Sequence, residues 1–244
     1  MNSQHVIPSD ALALRPVAVN AKEADGISYW DNSHPRAPLA VICDTSISMA
    51  GPALGELQRG LALLFASIAG DDLASLRVDG TVIRCGGTVE TIVPFGAVEP
   101  GATPVIPPLV AGGQTPLGQA VRHAIASINA RRAEYRRCAL ASFRPLVVIE
   151  SDGAPNDENW EAAAAELRAL AERGWSVVAV GVGPHADLAT LQKFCVLPVR
   201  RLEATNLTDL FKWVSDSMRA VSRSQSAGTT GVTLPEFLPE VPKL

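Results

Sequence analysis

Three stretches of this chain place oxygen-bearing side chains where an α/β sheet builds its sites. The first is Val41-Ile42-Cys43-Asp44-Thr45-Ser46-Ile47-Ser48-Met49. Its apolar run from Pro38 to Cys43 reads as a strand buried on both faces, and it ends in an Asp and two Ser spaced by one residue. The second is Gly112-Gly113-Gln114-Thr115-Pro116, a turn that presents Thr115 before a helical pattern. The third is a later apolar strand, Pro145–Ile149, which runs into Glu150-Ser151-Asp152-Gly153. Each piece alone is equally well a capped turn; the three in this order, each at a strand end or helix start, point to one site. Asp44, Ser46, Ser48, Thr115 and Asp152 offer five oxygen donors and no His or Cys. That set selects a hard ion, Mg²⁺ with Mn²⁺ or Ca²⁺ as alternatives, over Zn²⁺ or copper. Two carboxylates neutralise the ion and the hydroxyls add ligands without charge. An octahedral Mg²⁺ then keeps a position that a partner's carboxylate can take.

The elements that must bring these stretches together follow from hydrophobic periodicity. Pro38–Asp44 is the first strand. Gly51-Pro52 starts a helix whose inner face is Leu54, Leu57, Leu61, Leu64, Phe65 and Ile68, ended by Gly70. Leu76–Cys85 and Thr88–Phe95 read as strands joined by Gly86-Gly87, a hairpin signal that makes one sheet edge antiparallel. Pro100, Pro104, Pro107 and Pro108 mark a structured loop before the next helix, with inner face Leu117, Val121, Ala124, Ile125 and Ile128. Residues 130–144 read as a polar, arginine-rich connection. Asn156 or Asp157 is expected to cap a helix carrying Trp160, Ala164, Leu167 and Ala171. Val177–Val182, a short helix over Asp187–Cys195, a short strand Val199–Leu202 and a helix marked by Leu207, Leu210, Phe211, Val214 and Met218 complete the pattern. Strands alternating with helices predict an α/β fold: a Rossmann-like, doubly wound, mostly parallel central sheet with one antiparallel edge strand and helices on both faces. At the crossover of such a sheet the three stretches converge on its carboxyl edge.

Residues 1–37 read as an N-terminal extension, with a short strand near Leu12–Val19 and an aromatic pair, Tyr29-Trp30. Residues 38–221 form the domain. Residues 222–244 are a Ser/Gly/Thr-rich then Pro-rich tail, read as flexible. With 47% hydrophobic and 19% charged residues, the 244-residue chain has the balance of a globular domain. A net charge of −4 with interspersed signs predicts no nucleic-acid partner. The one basic cluster, Arg131-Arg132 with Arg136-Arg137, reads as a solvated face. No apolar stretch reaches the ~18 residues of a membrane span, and Met1–Asp10 does not read as a secretory signal. Cys43, Cys85, Cys138 and Cys195 stand singly, which suits a reducing cytoplasm. His5, His34, His123 and His185 have no partners at ligand spacing.

The stretches Asp44–Met49, Gly112–Gly118 and Ser151–Gly153 resemble the metal-ion-dependent adhesion site (MIDAS) of von Willebrand factor A (VWA) domains. Arg144–Val148, Asp152–Asp157, Trp160, Val180–Pro184 and Phe211–Ser215 are similar to the bacterial A-domain proteins of tellurium-resistance clusters, the TerY-like family. The similarity covers residues 38–221. It implies a Mg²⁺-type ion held by Asp44, Ser46, Ser48, Thr115 and Asp152, and cytoplasmic binding work, not catalysis. It also implies partners of the protein kinase and PP2C-type phosphatase kind. Two residues depart from the pattern. Ile47 stands where Gly is common, so its turn must keep to ordinary backbone space. Glu150 replaces an apolar strand residue; it either faces solvent at the sheet end, the favoured reading, or is a further acid near the metal.

The leading expectation is therefore a metal-dependent protein-binding module. Two alternatives stand beside it. One is a Mg²⁺-dependent phosphohydrolase with Asp44 as nucleophile, although Ser46 occupies the place where such enzymes carry a second Asp. The other is a scaffold whose metal site is vestigial.

Overall fold

In the computed structural model, residues 32–98, 104–152 and 155–224 are described. The expected strand at Leu12–Val19, the Tyr29-Trp30 pair and the tail beyond residue 224 lie outside them. Six strands form one sheet in the order β3-β2-β1-β4-β5-β6. They are β1 (Ala37–Asp44), β2 (Val78–Gly86), β3 (Thr88–Ala97), β4 (Leu146–Ser151), β5 (Ser176–Val182) and β6 (Arg200–Leu202). All neighbours are parallel except the β2–β3 hairpin at the edge. This is the doubly wound, mostly parallel sheet that the sequence predicts.

Every residue of β1 is buried, as its apolar composition on both faces requires. Alternate residues feed two cores. Leu39, Val41, Cys43 and Val148 pack with α1 (Pro52–Ala69) and α6 (Leu207–Arg223). Ala40, Ile42, Val147 and Ile149 pack with α3 (Leu117–Arg137) and α4 (Trp160–Glu172). The chain turns from β1 to β2 on one side and to β4 on the other. The carboxyl ends of β1 and β4 therefore flank the topological switch point, where open α/β sheets bind ligands. Asp44 ends β1, and Asp152 follows the last residue of β4.

Four helices depart from expectation. A six-residue helix, α2 (Asp72–Arg77), precedes β2. The Asp71 carboxylate caps it by accepting from the Leu73 and Ala74 amides at 3.2 and 2.9 Å. The expected connection over 130–144 is instead the continuation of α3 to Arg137. The arginine cluster is correspondingly not all solvated. Arg131 is largely buried, its Nε 2.7 Å from Asp79 Oδ2, and the Tyr135 hydroxyl donates to the same oxygen at 2.5 Å. Asp79 is paired with Pro38 in the sheet, so this network fastens α3 at the edge opposite the Asp44 end. The remaining short helix, α5 (Leu188–Leu191), is shorter than predicted and starts on the Asp187 side-chain cap. Helix α6 runs past the expected boundary at 221. No helix of the described residues is long and apolar enough to cross a membrane.

Asp71 also receives Arg219 Nε at 3.0 Å and Arg223 at 2.5 Å, which ties the end of α6 to the α1–α2 turn. Burial pushes its carboxyl up, but the Ala74 amide and the two guanidinium groups outweigh that and hold it below the usual range. Its contribution to stability is present above the ordinary carboxylate range and is lost as pH falls through its lowered value. Asp71→Ala removes a helix cap and the acid that Arg219 and Arg223 share, leaving Arg219 only Asp216 at 3.4 Å. The expected cost is about 2 kcal/mol at neutral pH, read as a lowered urea midpoint, with a smaller difference in acid.

Candidate metal centre

The site begins where β1 ends. The Asp44 carboxylate is fully buried, and both its oxygens are held. The Ser46 amide donates to Oδ1 at 2.8 Å, and the Ser151 hydroxyl, from the end of β4, donates to Oδ2 at 2.6 Å. A short 3₁₀ turn over Ile47–Met49 follows. It places the Ser46 and Ser48 hydroxyl oxygens 3.0 Å apart. Ile47 avoids the left-handed region, as a β-branched residue must: the non-glycine residues with positive φ in the described chain are Ala139 and Asn159.

The Gly112–Thr115 turn is laced to this end. The Gly112 amide donates to Thr45 O at 2.9 Å, the Ile47 amide to Gly113 O at 3.1 Å, and the Gly87 amide to Gln114 O at 2.7 Å. Thr115 is buried, and Asn156 brackets it: Thr115 N–H donates to Asn156 Oδ1 at 3.1 Å, and Asn156 N–H donates to Thr115 O at 3.2 Å. Asp157 accepts from the Gly118 and Gln119 amides at 3.0 and 2.9 Å. The expected cap of α4 is thus the cap of α3, and α4 is preceded by Asn159 in left-handed backbone. Asp152 is half-buried and close enough to raise the Asp44 pKa, and its backbone oxygen accepts from Asp187 N–H at 2.8 Å.

The structure therefore joins Asp44 to Ser46 and Ser46 to Ser48. It sets Thr115 and Asp152 on the two segments bonded to them. Ser151, Asn156 and Asp157 are supporting residues: sequence reasoning gave Asn156 and Asp157 only as caps of α4 and gave Ser151 no partner. Ser151 lies beside a predicted ligand, but only the β1–β4 register shows it reaching Asp44. His123 bonds Thr91 at 2.7 Å.

Glu150 overturns the solvent-facing expectation. It is fully buried on the α1/α6 side of β4, beside Cys43 in register, not at a solvated end. Neither carboxylate oxygen has a side-chain hydrogen-bond partner of normal geometry. Burial, then Asp44 and Asp152, push its carboxyl well above the usual range, with only the Asp44 amide opposing. Asp44 is raised for the same first reason, burial, against the Ser151 and Ser46 hydrogen bonds.

These residues fit a hard cation. Burying Asp44 without a cation is costly, as its raised pKa records. The serine oxygens sit at the spacing of adjacent ligands on Mg²⁺, about 2.9 Å for metal–oxygen distances near 2.1 Å. Among the described residues no group of three or more His, Cys, Asp or Glu could hold a metal, so any ion here depends on the hydroxyls.

The model of the von Willebrand factor type A domain matches residues 39–212. The chain belongs to the von Willebrand factor type A domain family. Solved VWA structures share its fold. The VWA domain of the type V pili tip protein from Porphyromonas gingivalis aligns with a TM-score of 0.62 at 8% identity, over 80% of this chain and 99% of that one. The pilus adhesin SpaC from Lactobacillus rhamnosus GG gives 0.59 at 14% identity, over 77% and 31%. Proximal thread matrix protein 1 from the mussel byssus, solved with a zinc-occupied MIDAS motif, gives 0.52 at 18% identity. There the alignment covers 76% of this chain but 48% of the mussel protein. No curated protein sequence matches the chain.

One glycine of the turn before Thr115 is a structural necessity. Gly113 has φ +66°, and a Cβ there would drive into Gly87 Cα. Gly113→Ala must open the contact that presents Thr115, so it is expected to cost at least ~2 kcal/mol in urea unfolding. It should also blunt any metal-induced rise in melting temperature.

Proposed function

We propose that this VWA domain is a metal-dependent protein-binding module. Asp44, Ser46, Ser48, Thr115 and Asp152 hold a Mg²⁺-type ion, and an acidic side chain of a partner completes its coordination. The observation that carries this reading is the junction of β1 and β4: Asp44 locked by Ser151 and Ser46, beside two serine oxygens 3.0 Å apart. Adhesion or protein interaction is the common work of the family, and the mussel relative's zinc-occupied motif supports a divalent ion here as well. The oxygen-only donor set favours Mg²⁺ or Mn²⁺ over zinc. Four free thiols, three of them buried, fit a reducing compartment. The similarity to tellurium-resistance A-domain proteins supports a cytoplasmic stress role, with a kinase and a PP2C-type phosphatase as candidate partners.

Catalysis by Asp44 is disfavoured. Such an enzyme needs a general acid beside its nucleophile, and Ser46 stands where a second Asp would supply it. The test is capture of the kinase and phosphatase in Mg²⁺ and in EDTA, with the wild type and with Ser48→Ala, whose exposed hydroxyl can be removed at little structural cost. Capture that needs Mg²⁺ and fails in the variant is expected. Capture indifferent to both sinks the reading, and metal-dependent turnover of a generic phosphate ester would revive the hydrolase.

A further inference from the structure

Asn156 and Asp157 do more than cap a helix. Asn156 Oδ1 accepts from Thr115 N–H at 3.1 Å, and Asn156 N–H donates to Thr115 O at 3.2 Å. Asp157 accepts from the Gly118 and Gln119 amides at 3.0 and 2.9 Å. The contact is also close-packed. A Cβ on Gly118 would lie 2.7 Å from Asp157 Oδ2 and 2.6 Å from Trp160 Cα. The chain that follows Asp152 is therefore pressed against the start of α3, with no room for a methyl group between them.

On its other side Thr115 follows a turn bonded to the end of β1. Ile47 N–H donates to Gly113 O at 3.1 Å, and Gly112 N–H donates to Thr45 O at 2.9 Å. Thr115 is thus held from both flanks, by the segment of Asp44, Ser46 and Ser48 and by the segment of Asp152. Asp152 is itself tied at its backbone oxygen, which accepts from Asp187 N–H at 2.8 Å. On the Asp152 side, both hydrogen bonds that fix Thr115 belong to Asn156.

We propose that Asn156 is a positioning residue that sets the size of the ion, by holding Thr115 against the segment of Asp152. The proposal rests on the metal-site reading above. Donor chemistry does not separate Mg²⁺ from Ca²⁺, since carboxylate and hydroxyl oxygens suit both. Rigidity does. Mg²⁺ requires near-octahedral ligands at about 2.0–2.1 Å, whereas Ca²⁺ takes six to eight at about 2.3–2.6 Å and tolerates irregular ones. Exchanging the first for the second moves every donor outward by roughly 0.3–0.5 Å. Asp44, Ser46 and Ser48 share one turn, so the frame widens by moving Thr115 away from Asp152. The Asn156 bonds and the Gly118 contact oppose that movement. A held Thr115 selects the smaller ion; a loose one accommodates both.

The test is calorimetric titration of the full-length chain with MgCl₂ and with CaCl₂, read as the ratio of the two dissociation constants. Wild type should bind Mg²⁺ more tightly. Asn156→Ala should weaken Mg²⁺ at least about tenfold and change Ca²⁺ little, so that the preference collapses. In the metal-free chain it should also speed hydrogen exchange at the Thr115 amide. Asn156→Asp keeps the acceptor for that amide and should keep the ratio. Gly118→Ala widens the frame with Asn156 in place and should lower the ratio in the same direction; it carries the test if Asn156→Ala does not fold. Equal weakening of both ions, or a ratio unmoved in both variants, makes Asn156 merely structural and overturns the proposal while the metal site stands. A wild type that prefers Ca²⁺ overturns it as well. A wild type that binds neither ion removes the metal reading itself, and this proposal with it.

Discussion

Asp44→Asn is expected to raise the melting temperature of the metal-free protein and to abolish its response to Mg²⁺ or Mn²⁺. The two effects have opposite signs because one carboxylate serves both states. Without a cation, the fold buries a charge that water would solvate better, and two hydrogen-bond donors only partly offset the cost. Asparagine has the same shape, can accept from the Ser46 amide and carries no charge, so the metal-free variant should gain about 1 kcal/mol. With a cation, the same charge is the strongest donor of the site. Metal at a hundred times its dissociation constant stabilises the wild type by about 2.7 kcal/mol. That is a rise of roughly 5–10 °C for a domain of this size, and it should vanish in the variant.

The pH dependence separates the two states. A carboxyl raised by burial binds its proton more tightly in the folded chain than in the unfolded one. The metal-free wild type should therefore lose stability as pH rises from the ordinary Asp range, near 3.9, through the higher folded value. Asp44→Asn should flatten that slope. The metal competes with the same proton, so the metal-induced rise should grow with pH over that window. Calorimetric melting with and without Mg²⁺, between acid and neutral pH, measures all three. A variant that still responds to the ion would remove Asp44 from the coordination sphere.

The parts of this fold that could be read in the chain are those fixed by local composition. Strands β1, β4 and β5 are buried on both faces, so their sequences are continuous apolar runs. Asp44, Ser46 and Ser48 were legible because one turn sets their spacing. What escaped depends on distant partners. Arg131 looked like a solvated cation until the fold brought Asp79 and Tyr135 to it, 52 and 4 residues away. That pairing is also why α3 extends well beyond its apolar face. Asp157 has the composition of a cap, but the Gly118 amide it accepts from lies 39 residues earlier. Helix α2 is too short for periodicity to reveal, and it forms because Asp71 can serve its amides and the α6 arginines together. Ser151 is silent in sequence because only the parallel register of β1 and β4 aims its hydroxyl at Asp44.

Glu150→Ile is expected to stabilise the metal-free protein by about 1–3 kcal/mol at neutral pH, the usual cost of a buried polar group left without partners. The register sets Glu150 between Cys43 and Val180, among side chains that pack against α1 and α6. A β-branched side chain suits that central strand position. The gain should shrink as pH falls. The folded carboxyl is pushed well above the ordinary Glu range near 4.3, so wild-type stability recovers as the group becomes protonated in both states. Urea midpoints at neutral and acid pH measure the difference, and Glu150→Gln separates charge from shape: it removes the charge but keeps the unmet hydrogen bonds, so its gain should be the smaller of the two. The metal-bound state supplies the discriminating comparison. Asp44 and Asp152 both raise the Glu150 pKa, so the three carboxyls share one field, and a cation among them would lower the cost of ionising Glu150. If that field matters, both variants should bind Mg²⁺ more weakly while melting higher without it. A buried acid that the metal-free fold would be better without is then kept for the sake of the ion. If Glu150→Ile instead destabilises the metal-free chain, the carboxyl has a partner within the fold, and its burial is not an unmet cost.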